Sequence, residues 1–425
     1  MNRLFYTLLF YVALPFILAR LWWRGLKVPA YRERWLERLG FCQPKQQFNT
    51  QPLWIHAVSV GETLAIVPLV KLIQARYPQV PIVMTTMTPT GAERVKVSFG
   101  DRVTHYYCPY DLPCALNRFI NTLNPRGCVI VETELWPNLV NCCAQRGVPV
   151  LVANARLSER SAKGYARFKK LVQPMLEQID MVAVQNEIDG QRFLDLGLPS
   201  RSMSVTGSIK FDVKAPDGSE RLAYALRQMW GASRKVFIGA STHEGEESEL
   251  IAVYQQLLAD FPDLLLVLVP RHPERFDRVA ELIKQAGLKV ARRSLGQQPD
   301  NRTQVYLGDT MGELMKLLAA SDIAFVGGSL IERGGHNPLE PAVLKKPVIM
   351  GPHYINFQLI CELLAQAKGL TVVQDGAGLE TEVKRLLLDS DQLREQGQAG
   401  YAFVMKNQGA LEKLYALTER YCLKD

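Results

Sequence analysis

The sequence lacks the cysteine and histidine patterns that stabilise many small domains. None of its eight cysteines forms a CxxC pair, and no cysteine–histidine cluster has the spacing of zinc ligands. A C2H2 spacing, an RNA-recognition signature and a basic run interleaved with aromatic residues are also missing. These absences argue against a disulfide framework, a zinc site and a nucleic-acid partner. We therefore expect a reduced, cytosolic body with structural thiols.

What the composition does provide is length, apolar content and positive charge. A chain of 425 residues predicts two domains rather than one. Hydrophobic residues make up 48% of the chain, which argues against global disorder. The formal net charge of +8 suits a partner that carries negative charge, such as an anionic membrane or a phosphorylated substrate.

The N-terminus contains an apolar run, Leu4–Ala19, interrupted only by Thr7. As a helix it would span roughly 24 Å, a little less than the hydrocarbon core of a bilayer at about 30 Å. The interfacial residues Arg20, Trp22 and Trp23 lengthen the effective span. We therefore predict a membrane anchor.

The basic residues that follow this run predict a cytoplasmic body at the inner membrane, with contact to anionic lipids. A cleaved signal peptide is disfavoured, because Arg-Leu-Trp-Trp-Arg after the run is a poor cleavage site. A helix lying in the membrane interface stays an alternative to a transmembrane helix, since the run is short and contains Pro15. The basic residues in question are Arg20, Arg24, Lys27, Arg32 and Arg34.

From about residue 50, short apolar strands alternate with amphipathic stretches, a pattern typical of parallel sheets built from βαβ units. Two such series predict an α/β fold with two Rossmann-like, doubly wound domains facing a cleft. We place the anchor at 1–22, an acceptor-binding domain at 23–215, a donor-binding domain at 216–405, and a last helix at 406–425 that packs back on the first domain. The predicted strands are Leu53–His56, Ile82–Thr86, Cys128–Glu132, Pro149–Ala153, Met181–Gln185, Ser204–Thr206, Lys235–Gly239, Leu264–Val269, Val305–Leu307, Ile323–Val326, Pro347–Met350 and Thr371–Val373.

In such sheets, ligands bind at the carboxyl ends of the strands. Ser59 and Glu62 follow the first strand and have the spacing of a helix capping box. Alternatively, Glu62 is a general base that takes the proton of an acceptor hydroxyl. From the residues alone, the capping role is favoured.

Two further motifs carry charge in the first half. Glu132 and Glu134 directly follow an apolar strand; we expect one to point into the cleft and the other to cap the next helix. Lys210 can meet negative charge on a leaving phosphate, although a solvated surface lysine is an equal alternative.

In the second half, the candidate anion-binding groups follow three strands. Arg271 offers five donors to a phosphate or a base carbonyl. Gly312, in Asp-Thr-Met-Gly-Glu, permits close backbone approach at a helix start. The strongest motif is a glycine-rich loop, residues 327–341, in which Asn337 is the expected N-cap, Pro338 the first helical residue and Glu340 an acceptor for ribose hydroxyls.

Two acidic motifs resemble metal sites only superficially. Asp389-Ser390-Asp391 is formally a DxD, but its position favours helix capping. The segment from His243 to Glu247 lacks HExxH spacing, and an acidic helix N-terminus is the better interpretation.

Taken together, these motifs resemble the family of Kdo (3-deoxy-D-manno-octulosonic acid) transferases, which are inverting glycosyltransferases of the GT-B fold. The resemblance covers essentially the whole chain. It runs from RLWWRG near the N-terminus to NQGAL near the end, through SVGET, TTMTPTG, YDLP, ETELWPN, NARLS, GSIKFD, STHEGEE, VPRHPERF, GDTMGEL and GGSLIERGGHNPLEP.

The resemblance implies a role for each matching residue. Glu62 corresponds to the catalytic base, and Glu132 and Lys210 correspond to residues that stabilise the transition state. The segments that bind CMP correspond to Pro270 and Arg271, to Met311, Gly312 and Glu313, and to Asn337, Pro338, Leu339 and Glu340.

The implied reaction is transfer of Kdo from CMP-Kdo to the 6′-hydroxyl of the phosphorylated, tetra-acylated lipid A precursor, with inversion and without a metal or other cofactor. It belongs to lipopolysaccharide biosynthesis. Two alternatives remain: a UDP-sugar-dependent transferase or epimerase of the same fold, and an inactive membrane-tethered nucleotide-binding protein. The sequence leaves open the number of Kdo residues added, the acceptor contacts and the oligomeric state.

Overall fold

The structure is a computed structural model that describes residues 2–42 and 48–424. It divides into two compact units, unit 1 (Met1–Asp212 with Gln408–Asp425) and unit 2 (Val213–Asn407). The predicted boundaries, after residues 215 and 405, lie close to the ends of these segments. The predicted domain ranges also include residues 1, 43–47 and 425, which lie outside the described residues.

The described part of unit 1 contains one parallel sheet of seven strands in the order β3-β2-β1-β4-β5-β6-β7. The order reverses between β1 and β4, which is the arrangement of a doubly wound fold. The strands are β1 (Leu53–His56), β2 (Ile82–Thr86), β3 (Thr104–Tyr107), β4 (Gly127–Val131), β5 (Val150–Ala155), β6 (Met181–Val184) and β7 (Met203–Val205).

Helices cover both faces of this sheet, and this explains why the strands are apolar on both sides. Along β1, Trp54 packs into the core on one face, while Leu53 and Ile55 pack into the core on the other. The helices are α1 (Arg3–Lys27), α2 (Trp35–Arg38), α3 (Val60–Arg76), α4 (Pro89–Phe99), α5 (Pro113–Leu123), α6 (Pro137–Ala144), α7 (Glu159–Ala166), α8 (Lys169–Leu176) and α9 (Glu187–Asp195).

Helix α1 packs along unit 1 through one stripe and exposes the opposite face. Its partly buried residues recur at helical spacing from Tyr6 to Gly25. Four apolar members of the stripe contact Tyr110, Leu112 and Ala115; they are Phe10, Leu14, Ile17 and Leu18. By length and composition the helix is long and apolar enough to cross a membrane.

The described part of unit 2 also contains one parallel seven-stranded sheet, in the order β10-β11-β9-β8-β12-β13-β14, so its order reverses between β8 and β12. The strands are β8 (Val236–Thr242), β9 (Leu265–Pro270), β10 (Val290–Arg292), β11 (Val305–Leu307), β12 (Ile323–Val326), β13 (Val348–Met350) and β14 (Leu370–Val372). The helices are α10 (Ser219–Trp230), α11 (Glu246–Leu257), α12 (Phe276–Gln285), α13 (Leu314–Ala320), α14 (Leu339–Val343), α15 (Gln358–Gln366), α16 (Gly376–Leu388) and α17 (Ser390–Asn407).

The chain returns to unit 1 through α18 (Ala410–Thr418), which continues as a π-helical turn, Glu419–Leu423. Ala410, Leu414 and Leu423 lie in the same hydrophobic core as α3 and the inner face of the sheet. Asp212 fixes the start of this segment, because its carboxylate accepts hydrogen bonds from the backbone N–H groups of Gly409 at 2.7 Å and Leu411 at 2.6 Å.

The predicted α/β fold with two Rossmann-like sheets is confirmed, but two strands were not predicted. Strands β3 and β10 are both edge strands, and β10 has only three residues. Both strands are only partly buried, and such strands can carry polar residues. Neither therefore has the continuous apolar run by which the interior strands were predicted. Pro273–Arg275 forms a 3-10 turn that leads into α12.

Candidate active site

The loops after β1 and β4 lie side by side, because these strands pair at the point where the sheet order of unit 1 reverses. Ligands of open α/β sheets bind at such a point, outside the carboxyl ends of the strands. The loop after β1 leads into α3 and carries Glu62 in the first turn; the loop after β4 carries Glu132 and Glu134. The fold therefore brings these carboxylates to one region.

Glu62 is buried, and both of its carboxylate oxygens accept hydrogen bonds from the loop before α3. The Oε1 atom accepts from the Ser59 hydroxyl at 2.6 Å, and Oε2 accepts from the Val58 N–H at 2.7 Å. Ser59 in turn accepts from the Glu62 N–H at 3.2 Å. The capping arrangement expected from the spacing is thus present, and it fixes the orientation of the carboxylate.

Capping does not prevent Glu62 from taking a proton, since each carboxylate oxygen has a second lone pair. Burial raises the pKa of Glu62, and the negative charges of Glu134 and Glu132 raise it further, against the hydrogen bonds from Ser59 and Val58. A carboxylate with a raised pKa is a stronger base than an ordinary glutamate at neutral pH.

Glu132 and Lys210 form an ion pair near this base, with 3.7 Å between the Lys210 Nζ and a carboxylate oxygen of Glu132. Both side chains are partly exposed and can reach a ligand. Glu132 has a left-handed backbone, with φ of +58°, which is uncommon for a residue with a side chain. Backbone strain of this kind concentrates at functional sites.

The prediction that one carboxylate of this motif caps the next helix is wrong. The strand ends at Val131, Glu132 and Thr133 form a turn, and Glu134 follows it, so the alternation of a strand does not apply to the two carboxylates. Glu134 accepts from the Trp136 indole N–H at 3.0 Å. The cap of α6 is Asp111 from a distant loop, whose carboxylate accepts from the N–H groups of Asn138 at 3.1 Å and Leu139 at 2.8 Å.

His56 ends β1 and is fully buried. The Thr85 hydroxyl accepts from the indole N–H of Trp54 at 2.9 Å and lies 2.9 Å from the Nδ1 of His56. Among the described residues the Nε2 of His56 has no hydrogen-bond partner, and the ring lies beside that of Trp136. Burial lowers the pKa of His56 to about 3, so the ring is neutral.

In unit 2, Arg271 directly follows β9 and is exposed. Among the described residues its guanidinium makes no ion pair, which leaves its donors available to a ligand. Glu340 is half-buried, and its carboxylate has no hydrogen-bond donor in the part of the chain that the structure describes. Burial raises the pKa of Glu340, and the charge of Arg271 opposes this rise, so the two groups interact.

Three backbone N–H groups of the glycine-rich loop after β12 already bind a carboxylate of the protein itself, that of Glu246. The buried carboxylate of Glu246 accepts from the backbone N–H groups of Gly328 at 2.7 Å, Ser329 at 3.0 Å and Leu330 at 3.1 Å. It also accepts from the His243 N–H at 3.0 Å. The expectation that this backbone is open to a ligand therefore needs correction for residues 328–330.

The helix after this loop starts one residue later than predicted. It comprises only five residues from Leu339, with Pro338 as its N-cap. Asn337 still provides a hydrogen-bond acceptor for the first turn of the helix, since its Oδ1 accepts from the Leu339 N–H at 3.1 Å. A single turn has a small dipole, so ligand binding here depends on side chains more than the sequence suggested.

The segment Met311–Glu313 differs from expectation in the role of its acid. Arg293 donates two hydrogen bonds to Glu313, and together with those from Thr310 and Lys316 this lowers the pKa of Glu313 to about 2. Met311 is exposed, and Gly312 has a φ of +82° with open space beside it. Glu313 therefore holds the loop, while the contact of Met311, Gly312 and Glu313 with CMP stays a prediction. Helix α13 begins after this segment, at Leu314.

The comparison with known proteins agrees with the motifs. A family profile described as 3-deoxy-D-manno-octulosonic-acid transferase (kdotransferase) matches residues 33–213. The 3-deoxy-D-manno-octulosonic acid transferase of Haemophilus influenzae is 46% identical over 99% of both chains. The enzyme of the same name from Bordetella pertussis is 39% identical over 72% of both chains.

The chain belongs to the Kdo transferase family. As a member of this family it is a glycosyltransferase. A UDP-N-acetylglucosamine 2-epimerase from Neisseria meningitidis, solved with UDP-GlcNAc, covers 87% of this chain with a TM-score of 0.52 and 13% identity. At this identity the likeness shows the GT-B type of fold alone.

For this Kdo transferase family member, the structure brings together Glu62, Glu132 and Lys210 in unit 1. Asp389 caps α17 as expected, because its Oδ1 accepts from the Asp391 N–H at 3.0 Å. Among residues 2–42 and 48–424, no group of three or more histidine, cysteine or acidic side chains is arranged to hold a metal ion. The metal-free reaction stays a prediction.

Proposed function

We propose that the protein transfers Kdo from CMP-Kdo to the 6′-hydroxyl of the tetra-acylated lipid A precursor, with inversion, in lipopolysaccharide biosynthesis. Membership of the Kdo transferase family supports Kdo as the sugar that is transferred. The observation that carries the chemistry is the buried Glu62 carboxylate, whose raised pKa suits a base, beside the ion pair of Glu132 and Lys210. No observation in the structure favours a UDP-sugar enzyme or an inactive nucleotide-binding protein over this function.

In the proposed reaction, Glu62 takes the proton of the acceptor hydroxyl as its oxygen attacks the anomeric carbon of Kdo. The bond between that carbon and the phosphate oxygen breaks, and CMP leaves with the electron pair. Because attack and departure occur on opposite faces, the configuration inverts. Lys210 offsets the negative charge that develops, and Glu132 positions the ammonium group of Lys210.

We assign donor binding to unit 2. Arg271 binds the phosphate or the base, and the Glu340 carboxylate accepts from ribose hydroxyls. The backbone around Gly312 approaches the nucleotide closely, since its positive φ and lack of a side chain leave open space. Positive side chains do the work of a metal in this proposal, so chelation of divalent ions should leave turnover unchanged.

We also propose that the protein sits on the cytoplasmic face of the inner membrane with α1 lying in the interface. The packed stripe of α1 runs from Tyr6, whose hydroxyl donates to Asp111 at 2.9 Å, to Gly25, which contacts Arg32. This stripe is roughly 28 Å long, so α1 packs on the body over most of its length. A transmembrane position would carry Asp111 and its loop into hydrocarbon, at high cost.

The exposed face of α1 supplies the apolar contact with lipid. It presents large side chains along its length, and basic residues flank it at the end where the body begins. The exposed large apolar and aromatic residues of α1 are Leu4, Phe5, Leu8, Leu9, Tyr11, Val12, Phe16, Trp22, Trp23 and Leu26.

The variant Glu62→Gln tests the proposed base. The amide cannot take a proton, so turnover of CMP-Kdo should fall by at least about a hundredfold, while binding of CMP to unit 2 stays nearly unchanged. The amide also satisfies only one of the two donors of the cap, so a stability loss of about 1 kcal/mol is expected. Turnover is measured with labelled CMP-Kdo, and stability by thermal unfolding.

Glu187→Gln is the matched control. Glu187 also lies in the first turn of a helix after a strand of unit 1, but it is exposed. This variant should keep full activity. Near-normal turnover in Glu62→Gln would remove Glu62 from the role of base.

A further inference from the structure

Two histidines from distant parts of unit 2 meet at the reversal point of its sheet. His243 follows β8, and His336 lies in the loop that follows β12, its direct neighbour. Their Nε2 atoms lie 2.8 Å apart. The rings are nearly parallel, with 2° between their planes and 5.1 Å between their centroids.

These values describe an in-plane hydrogen bond rather than a stack of faces. A centroid separation of 5.1 Å is what two coplanar imidazoles give when they meet nitrogen to nitrogen at 2.8 Å. Gly328 permits this position of His336, since a Cβ there would lie 3.3 Å from the His336 ring. The positive φ of Gly328, +69°, also favours glycine.

The contact dictates the protons of the pair. One Nε2 must donate and the other accept, so one ring carries its proton on Nε2 and the other on Nδ1. The neutral pair therefore presents one Nδ1–H donor and one bare Nδ1. If the pair gains a proton from solvent, both Nδ1 atoms become donors while the Nε2–H···Nε2 bond persists.

The surroundings of the pair are positive and open to an anion. Burial lowers the pKa of His243 and of His336 to about 4; for His243 the charges of His272, Arg333, Arg271 and Arg275 contribute, and for His336 those of His243, Arg271 and His272. The nearby Glu246 carboxylate accepts hydrogen bonds from backbone N–H groups. The Glu247 carboxylate accepts them from the side chains of Arg275 and Thr242. Among the described residues, Arg271 and Arg333 have no carboxylate in ion-pair contact.

We propose that His243 and His336 form a proton-accepting pair that binds an anionic group of the donor substrate, its phosphate or its carboxylate. This inference rests on the proposed function, which supplies the donor. A bound anion offsets the charges of the neighbouring arginines and accepts from an Nδ1–H group of the pair, so binding and protonation of the pair favour each other. The two histidines act in binding and positioning, while Glu62 remains the base.

Isothermal titration calorimetry of the full-length protein tests this in two buffers of different ionisation enthalpy, because the difference in heat gives the protons taken up. The ligands are cytidine, free Kdo, CMP and CMP-Kdo. We expect no uptake with cytidine. Uptake of a fraction of a proton with both CMP and CMP-Kdo assigns the phosphate to the pair; uptake with CMP-Kdo and Kdo but not with CMP assigns the carboxylate.

His243→Asn and His336→Asn should each abolish the proton uptake. Each should also lower the affinity for the ligand that carries the bound anion by about tenfold, without affecting the affinity for cytidine. His353→Asn is the matched control, since its ring makes no contact with the pair in the described chain, and it should retain the uptake. The wild-type measurement needs no variant, so it decides the matter even if a substitution impairs folding.

The outcomes separate the two proposals. Wild-type protein that binds CMP and CMP-Kdo with no uptake of protons overturns the role of the pair and leaves the proposed function intact. Unchanged proton uptake in both histidine variants would also overturn the role of the pair. Wild-type protein that binds neither ligand overturns the proposed function, and this inference with it.

Discussion

The carboxylate of Glu62 lies where its neutral form is stabilised relative to water. It is buried, and two other carboxylates, Glu134 and Glu132, contribute negative charge. The carboxylate accepts two hydrogen bonds, from the Ser59 hydroxyl and the Val58 N–H, and the backbone N–H of Glu62 donates to Ser59; together they keep the carboxylate oriented. A residue that the spacing assigns to a cap can thus also be the base, because the cap fixes its geometry.

Replacing Glu134 by glutamine should move the acid limb of the activity profile. The base acts only when deprotonated, so activity falls as the pH drops through the raised pKa of Glu62. Glu134→Gln removes one negative charge and keeps an oxygen for the Trp136 indole. The pKa of Glu62 should fall, and the acid limb in the plot of kcat/KM against pH should shift to lower pH.

Glu187→Gln serves again as the control and should leave the limb in place. An acid limb that moves to higher pH in Glu134→Gln, or stays where it is in the wild type, would contradict the assignment of that limb to Glu62.

Residue roles were predictable where one local motif contains the whole interaction. Ser59 and Glu62 are three positions apart, and their spacing predicted the cap. Asp111 caps α6 from a position remote in sequence, and no pattern around Asp111 announces this. The pairing of His243 with His336 is equally remote and was not foreseen. Such contacts depend on the order of strands in the sheet.

At the scale of elements, the loop after β12 and the start of α11 are held together by one side chain. The Glu246 carboxylate accepts four backbone N–H groups, three of them from this loop. Local sequence correctly predicted an acidic helix N-terminus at Glu246, but it gave no sign that the acid reaches a loop more than eighty residues away. Buried interior strands were predictable from their apolar runs; the short edge strands β3 and β10 were not.

Glu246→Ala should destabilise the protein strongly. It leaves four N–H groups without an acceptor, two of them buried and two partly buried, and a loss of about 3 kcal/mol is expected. Glu244→Ala is the control on the same loop: Glu244 is exposed and pairs with Arg275 and Arg278, so its loss should cost about 1 kcal/mol at most. Urea unfolding measures both, and equal stabilities of the two variants would contradict this role for Glu246.

Helix α1 should attach the protein to lipid through its exposed face. Leu8→Glu combined with Phe16→Glu places two charges on that face and should reduce flotation with anionic vesicles, because charge in the apolar region is costly. Leu388→Glu, at an exposed leucine of unit 2, is the control and should float normally.

The side of the membrane on which the N-terminus lies separates the two positions of α1. If the helix lies in the interface, an N-terminal epitope tag is on the same side as the body and is protected from protease added to intact spheroplasts. Cleavage of that tag from outside would indicate a transmembrane helix instead.

At the scale of the whole molecule, the net charge of +8 and the apolar face of α1 favour the same partner, an anionic lipid surface with a phosphorylated acceptor. The sequence predicted both α/β sheets and the long apolar N-terminal helix from composition and periodicity, and the role of that helix as a membrane anchor stays a prediction. The sugar came from the family resemblance, since nothing in the arrangement of carboxylates and arginines distinguishes Kdo from another sugar.

Mass spectrometry of the lipid product tests the central claim most directly. Purified protein is incubated with the tetra-acylated lipid A precursor and CMP-Kdo, with UDP-sugars in parallel reactions. We predict that the lipid gains the mass of one or more Kdo residues with CMP-Kdo alone, with release of CMP, and that the number of additions becomes visible. An unmodified lipid with CMP-Kdo, or a product formed from a UDP-sugar, would contradict the account.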